Sequence, residues 1–288
     1  MSNYHIFLSN SDSNLNDPAC LIDGRQTSSP ACNTLSRNIL KNGSKYEFSL
    51  CIWRSCSASN DTGGALKCIG TATKLYLESC SFTSCSADRE GGAIHTSSIH
   101  TLDVKDSLFY ACSSSTEEND KGSGAIWIYG IQQTLSISQS SFISCTSKAS
   151  GGAFKVNGCS AQVQGISTIN NCRFISCKAT DTSPDGGAVW IRVNDGLIGI
   201  LNCLFSLCYS GMYGGAIKNN QDHSSRNYPI RYCFFNKNSV PSNGYGNDIY
   251  FIVFSEVACL HCFSTTTKNR IGYVSGNTNV NTDVNWLP

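Results

Sequence analysis

From about residue 46 onward, apolar positions recur every second residue in short runs that are broken by Gly, Ser, Asn and Asp. Counting along the chain gives pairs at Tyr46 and Phe48, Leu75 and Leu77, Leu102 and Val104, Leu135 and Ile137, Ser167 and Ile169, Ile198 and Ile200, and Tyr228 and Ile230. Two-residue alternation places both members of each pair on one face of a strand. A second run follows, centred on a ring at Trp53, Phe82, Phe109, Phe142, Phe174, Phe205 and Phe235. A third follows paired glycines and carries inward pairs such as Leu66 and Cys68, Ile126 and Ile128, Val189 and Ile191, and Ile249 and Phe251. No copy shows a 3.6-residue apolar face, which excludes a helical repeat of similar period.

The ring positions are separated by 29, 27, 33, 32, 31 and 30 residues. A period of this length signals stacked repeats rather than two ordinary domains. The full unit is clearest at Cys172-Arg-Phe-Ile-Ser-Cys177 followed by Gly186-Gly-Ala-Val-Trp-Ile191, and it has seven copies, the last altered to Phe235-Asn-Lys-Asn238 and Gly246-Asn-Asp-Ile249. Segments this short cannot form independent sheets. Stacked about 4.8 Å apart, they make continuous parallel sheets around one apolar core. The expected fold is all-β: a single-stranded parallel β-helix of about seven rungs and three sheets, right-handed because parallel crossovers almost always are. The glycine pair fits a tight corner, and the preceding loop varies from five to nine residues without disturbing the columns.

The ends lack the pattern. Residues 1–45 read as a leader rich in Ser, Asn and Asp followed by a short amphipathic capping helix over about 34–42, with Leu35, Ile39 and Leu40 on one face and Gly43 at its C-terminal end. Residues 46–255 are the repeats, and 256–288 a C-terminal cap in which Cys259-Leu-His-Cys262 folds over the last rung and Trp286 is a candidate lid. Met1 to Leu8 contain neither a basic segment nor an apolar run of signal-peptide length, and the most apolar stretch, Tyr250 to Phe254, is too short to span a membrane.

Composition adds three constraints. Charged residues are 14% of the chain and the net charge is +1, which gives no basic field for nucleic acid. Of 17 cysteines, eleven lie in two repeat columns: Cys51, Cys80, Cys172, Cys203 and Cys233, and Cys56, Cys85, Cys112, Cys145, Cys177 and Cys208. Ser or Asn replaces them at Ser107, Ser140 and Asn238, which an obligatory disulfide partner would not allow, so the column thiols are expected to be reduced packing groups; Cys20 and Cys32 are left as a possible pair in the leader. Asn42-Gly-Ser44 and Asn60-Asp-Thr62 are glycan acceptors if the chain is exported.

The pairing of GGAI with FxxN, seen here as Gly91-Gly-Ala-Ile94, Gly214-Gly-Ala-Ile217 and Phe235-Asn-Lys-Asn238, resembles the chlamydial polymorphic outer membrane protein repeat, with FxxC usually standing for FxxN. Large sets of surface proteins of parasitic protists look similar. The likeness covers about residues 46–251 and implies a right-handed β-helix engaged in surface display and adhesion, at the cell surface or outside the cell.

The same scaffold hosts pectate lyases and polygalacturonases, so a polysaccharide lyase or hydrolase is the alternative. Its chemistry would need converging carboxylates. The nearest candidates, Asp61, Asp88, Glu90, Glu117, Glu118, Asp120, Asp181 and Asp185, are interleaved with Arg89, Lys121 and Lys178 and read as a solvated loop edge. Asn281-Thr-Asp283 has no companion motif, Cys259-Leu-His-Cys262 has no second pair to complete a zinc site, and the five histidines show no nucleophile–base grouping. No catalytic residue, metal or cofactor is expected.

The position between the two inward residues of the third run must face outward, and it reads Lys67, His95, Trp127, Lys155, Trp190, Lys218 and Tyr250, with Tyr129 and Arg192 two residues further along. Aromatic and cationic groups fill a column that a merely solvated sheet would give to Ser, Thr or Asn. Such a stripe is the candidate contact face for a carbohydrate or a protein surface, with Trp127 and Trp190 exposed and removable without loss of stability. The competing reading is that β-propensity alone places aromatics there.

Overall fold

A computed structural model describes residues 19–22, 25–28, 38–40, 45–117, 121–159, 167–180, 185–193, 198–221, 229–253, 258–265 and 271–273. It is an all-β parallel solenoid of the right-handed type, with about six turns complete on every side and further strands stacked at both ends. The expected three sheets are joined by a fourth. The entry sheet stacks the first runs from Lys45–Ser49 to Ala258–Leu260, and the ring sheet runs from Ile52–Arg54 to Phe263–Ser264. The post-glycine sheet extends from Asn38–Leu40 to Ile271–Tyr273. Between the last two lies a short sheet of two-residue strands, Ser57–Ala58 through Tyr209–Ser210. Its inward residues are small and buried, among them Ala58, Ser114, Ala179 and Ser210. Two residues are too few to show alternation, which is why the sequence pattern hides this sheet.

The ring column is the spine. Trp53 stacks on Phe82 at 4.5 Å, and the series continues through Phe109, Phe142, Phe174, Phe205 and Phe235 at 4.7 to 5.2 Å between centroids. In-register parallel pairing, for example Phe142↔Phe174 and Phe174↔Phe205, sets that spacing. Offset stacking at such distances adds to the area each ring buries.

The cysteine columns finish the corners on either side. The residue before each cysteine has positive φ, as at Ser79 (54°), Ser84 (53°), Tyr232 (56°) and Leu207 (56°). An L-residue held there costs about 1 to 2 kcal/mol. Repeated hydrogen bonds between turns offset it: the Ser79 N–H donates to Lys105 O at 3.0 Å and the Ser84 N–H to Tyr110 O at 2.8 Å. The thiols then donate inward. Cys112, Cys145, Cys177 and Cys208 reach the carbonyls of Phe82, Phe109, Phe142 and Phe174 in the preceding turn at 3.3 to 3.5 Å. Asn238 does the same with its amide, donating to Phe205 O at 3.1 Å while its Oδ1 accepts the Cys208 N–H at 3.0 Å. Ser107 and Ser140, in the other column, accept the N–H of Cys80 and Ser107 at 3.1 Å. Cysteine, serine and asparagine are therefore interchangeable polar finishes for one corner. Ten of the eleven column cysteines are free and buried; Cys56 is disulfide-bonded. A pairing of Cys20 with Cys32 falls outside the described residues.

The paired glycines sit where a Cβ has no room. Gly186 has φ +64°, and a Cβ on Gly187 would lie 2.0 Å from the carbonyl oxygen of Gly215 in the next turn.

Both ends correct the sequence reading. Within the expected capping helix the described residues, Asn38–Leu40, are a strand paired in parallel with Leu66, Lys67 and Cys68. Ahead of it, Ala19–Ile22 and Arg25–Ser28 form an antiparallel pair that joins the entry sheet through Leu21↔Glu47 and Ile22↔Tyr46. Strands, not a helix, continue the first turn's edges, because backbone pairing satisfies exposed N–H and C=O groups that a helix would leave open. At the other end the columns continue. Cys259 pairs with Ile230 and Phe263 with Phe234, so Cys259-Leu-His-Cys262 is the start of an eighth turn and not a lid. Cys262 occupies the first cysteine column and donates to Ile230 O. Ser264, at the ring position, replaces the aromatic whose absence hid this turn. Trp286 and Asn281 to Asp283 lie outside the described residues. Among the described residues no helix is long and apolar enough to cross a membrane.

Candidate functional site

Register on the post-glycine sheet confirms one continuous outer column: Lys67, His95, Trp127, Lys155, Trp190, Lys218 and Tyr250 are consecutive Cα partners. None of these side chains belongs to the apolar core. Exposure, however, is not what the sequence led us to expect. Trp127 retains 7% of its surface, Trp190 2% and Lys155 none, and His95, Lys218 and Tyr250 are likewise buried; Lys67 is half-buried.

Two features cover the column. First, long flat groups in strand register lie on one another. His95 stacks on Trp127 at 4.8 Å, and Lys155 Nζ sits 4.3 Å from the centre of the Trp190 ring. Second, the residues just before the glycines form a rim. Asp185, Tyr213 and Tyr245 pair in parallel as isolated bridges. From the rim, Asp185 forms an ion pair with Lys218, and Tyr213 packs on Tyr250 at 4.4 Å with Lys218 over its ring at 5.1 Å. Nearer the N-terminus Lys67 Nζ pairs with Asp61 at 2.6 Å. Burial, followed by the negative charge around it, pushes the Tyr250 phenol above its ordinary range. Cation–π contacts of this kind gain from desolvation, because water no longer competes for the cation. That the rim covers this column left no signal in the sequence, since it lies in the loop of variable length.

The accessible part of the face is the next outward column. Ser97, Tyr129, Asn157, Arg192 and Asn220 are consecutive partners on adjacent strands. Tyr129 is half exposed and stacks on Trp127 at 5.6 Å, while Asn157, Arg192 and Asn220 are half-buried. Arg192, from the candidate set, lies here; the other members form its pedestal. A phenol, two amides and a guanidinium in a row at strand spacing offer hydrogen bonds and one flat ring to an extended ligand. The indole Nε1 atoms of Trp127 and Trp190 are buried with no hydrogen-bond partner among the described residues.

Among the described residues, the carboxylates weighed for an enzyme are engaged one by one. Asp61 pairs with Lys67, Asp88 Oδ2 accepts the Asn60 N–H at 2.7 Å, Glu117 pairs with Lys148 at 2.9 Å and Asp185 with Lys218. Glu118, Asp120 and Asp181 are outside the described residues. Among the described residues no group of three or more His, Cys, Asp or Glu side chains is placed to hold a metal ion. No family model, no curated protein and no solved structure matches this chain.

Proposed function

We propose that this chain is a non-enzymatic binding solenoid of the surface-display or adhesion type, which meets a glycan or partner surface along the outer face of its post-glycine sheet. The observation that carries the reading is the Tyr129, Asn157, Arg192 and Asn220 row, held in register over four turns and backed by a packed cation–aromatic column. A row of modest contacts on a rigid lattice gains strength when one polymer engages several turns. The repeat resemblance supports the same reading at the level of display and adhesion.

The test is binding to a glycan array and to host-cell surface preparations, with Tyr129→Ala plus Arg192→Ala beside the wild type. Loss of binding with an unchanged thermal midpoint supports the assignment, because neither side chain is in the core. Normal binding by the double variant refutes it. Release of reducing ends or unsaturated products from an acidic polysaccharide would instead establish the lyase or hydrolase alternative.

A further inference from the structure

We propose that the C-terminal end of the ring sheet is a second binding surface, independent of the post-glycine face, whose ligand is an acidic polysaccharide. The outward column of the ring sheet reads Ser81, Leu108, Ser141, Arg173, Leu204, Phe234 and Phe263 in strand register. Serine at two earlier turns shows that the sheet itself has no need of an aromatic on this face. Nevertheless Phe234 and Phe263 sit on adjacent turns with 41% and 37% of their surface exposed, while the inward neighbour Phe235 is fully buried. At one corner of these turns Tyr232, 57% exposed, stacks on His261 at 5.2 Å. At the other corner Leu207 is 49% exposed. Earlier turns of this face carry Ile52, Leu108 and Leu204 in the column, with Leu108 and Tyr110 exposed on one turn, whereas at the C-terminal end exposed rings lie on adjacent turns; contiguous exposed rings of this kind mark an interaction site.

Polar and charged groups around the rings indicate what lies on them. Ser206, Asn236 and Thr265 form a fixed ladder beside the rings: Asn236 Nδ2 donates to Ser206 Oγ at 3.1 Å, and Thr265 Oγ1 donates to Asn236 Oδ1 at 2.9 Å. Arg231 and Lys237 flank the same turns and are exposed. Between positions 196 and 247 the sequence has one acidic residue, Asp222. The whole chain is polarised in the same sense. Residues 1–120 carry 13 acidic and nine basic side chains, whereas residues 121–288 carry seven and 12. The near-zero total therefore hides a net charge of +5 on residues 121–288 against −4 on residues 1–120, which favours an anionic partner on the later turns.

An acidic glycan matches all three features. Its C–H faces rest on exposed rings, its hydroxyls meet the amide and hydroxyl ladder, and its carboxylates or sulfates meet Arg231 and Lys237. A folded protein partner would anchor its side chains in enclosed pockets, which a row of rings on a flat sheet does not require.

The experiment measures binding of the full chain to polygalacturonate, with dextran and poly-glutamate as probes of the neutral sugar and of charge alone. Two variants are compared with the wild type: Phe234→Ser with Phe263→Ser, which installs the residue the column already carries at Ser81 and Ser141, and Lys45→Gln with Lys105→Gln, which removes two exposed lysines of the entry sheet. We expect salt-sensitive binding to polygalacturonate, weaker binding to dextran and poly-glutamate, a loss of about tenfold or more in the serine variant, and full retention in the Lys45 and Lys105 variant. Circular dichroism and the thermal midpoint establish that the serine variant is folded; if it is not, Arg231→Gln with Lys237→Gln takes its place and is expected to show the same loss. Unchanged affinity in a folded variant overturns the proposal. So does poly-glutamate binding as tight as polygalacturonate binding, or an equal loss in the Lys45 and Lys105 variant.

Discussion

A fully buried ring in a stack has neighbours on both sides that cannot close over its loss. Phe174 lies 4.9 Å from Phe142 and 4.8 Å from Phe205, with no exposed surface. Phe174→Ala is expected to cost about 3 to 5 kcal/mol in urea unfolding, and a loss below about 1 kcal/mol would contradict the inward register. Trp190→Ala is a sharper case, because sequence alone placed this indole in solvent and predicted an unchanged thermal midpoint. Buried to 2% exposure and carrying the Lys155 ammonium on its ring, it is now expected to lower the midpoint clearly. The thiols follow from burial too. Burial pushes the Cys68 and Cys203 thiols above their ordinary range, and every free cysteine among the described residues is buried, so no path leads a reagent to them. Ellman's reagent should therefore find the free cysteines unreactive in the folded protein and reactive after unfolding in guanidinium. Rapid labelling of the column thiols in the native protein, located by peptide mapping, would mean that the columns are open.

At the scale of one turn, periodicity revealed what alternates and hid what does not. The entry, ring and post-glycine strands were legible because the positions of Leu75 and Leu77 lie at fixed offsets before the ring, Phe82, and that of Ile94 at a fixed offset after the glycine corner, in every copy. The fourth strand was not, since Ser86–Ala87 is too short to carry a period. Nor were the left-handed corners, because Leu50, Ala111 and Leu207 occupy conformations usually signalled by Gly or Asn. The candidate stripe was read correctly for register and wrongly for exposure: alternation tells which way a side chain leaves the sheet, not whether Asp185 and Tyr213 will stand over it. The glycine corner can be tested directly. Gly187→Ala would drive a methyl into the Gly215 and Tyr209 carbonyl oxygens at 2.0 and 2.5 Å, both backbone atoms that adjacent turns hold in place. We expect a cost at or above the upper end of about 1 to 3 kcal/mol, measured by denaturant titration. A neutral outcome would show that turns can move apart independently.

Across the whole molecule, each turn contacts only its neighbours, so stability is a chain of local terms and the last turn must be finished by something other than another ring. The sequence pattern faded after Phe251 because three columns change together there. Asn238 stands for cysteine, Asp248 for the alanine that follows the glycines at Ala65 through Ala216, and Ser264 for the ring. In the structure these substitutions touch. Asp248, with no exposed surface, accepts the Asn238 amide at 3.0 Å and the Ser264 hydroxyl at 2.5 Å. A carboxylate placed inside an apolar column is costly unless hydrogen-bonded donors meet it, and here the donors come from two successive turns. This network joins the eighth turn to the seventh where the aromatic stack ends. Asp248→Ala restores the repeat's own residue yet removes the acceptor of both donors, and about 1 to 3 kcal/mol should be lost. The loss should be local. Amide exchange at Phe263 and Thr265, whose N–H groups donate to Cys233 O and Phe235 O, should accelerate, while Ser84 and Ala111 in the early turns keep their protection. Equal acceleration along the whole chain would show a single cooperative unit in place of stacked turns, and no acceleration at Phe263 would show that the polar cluster does not hold the final turn.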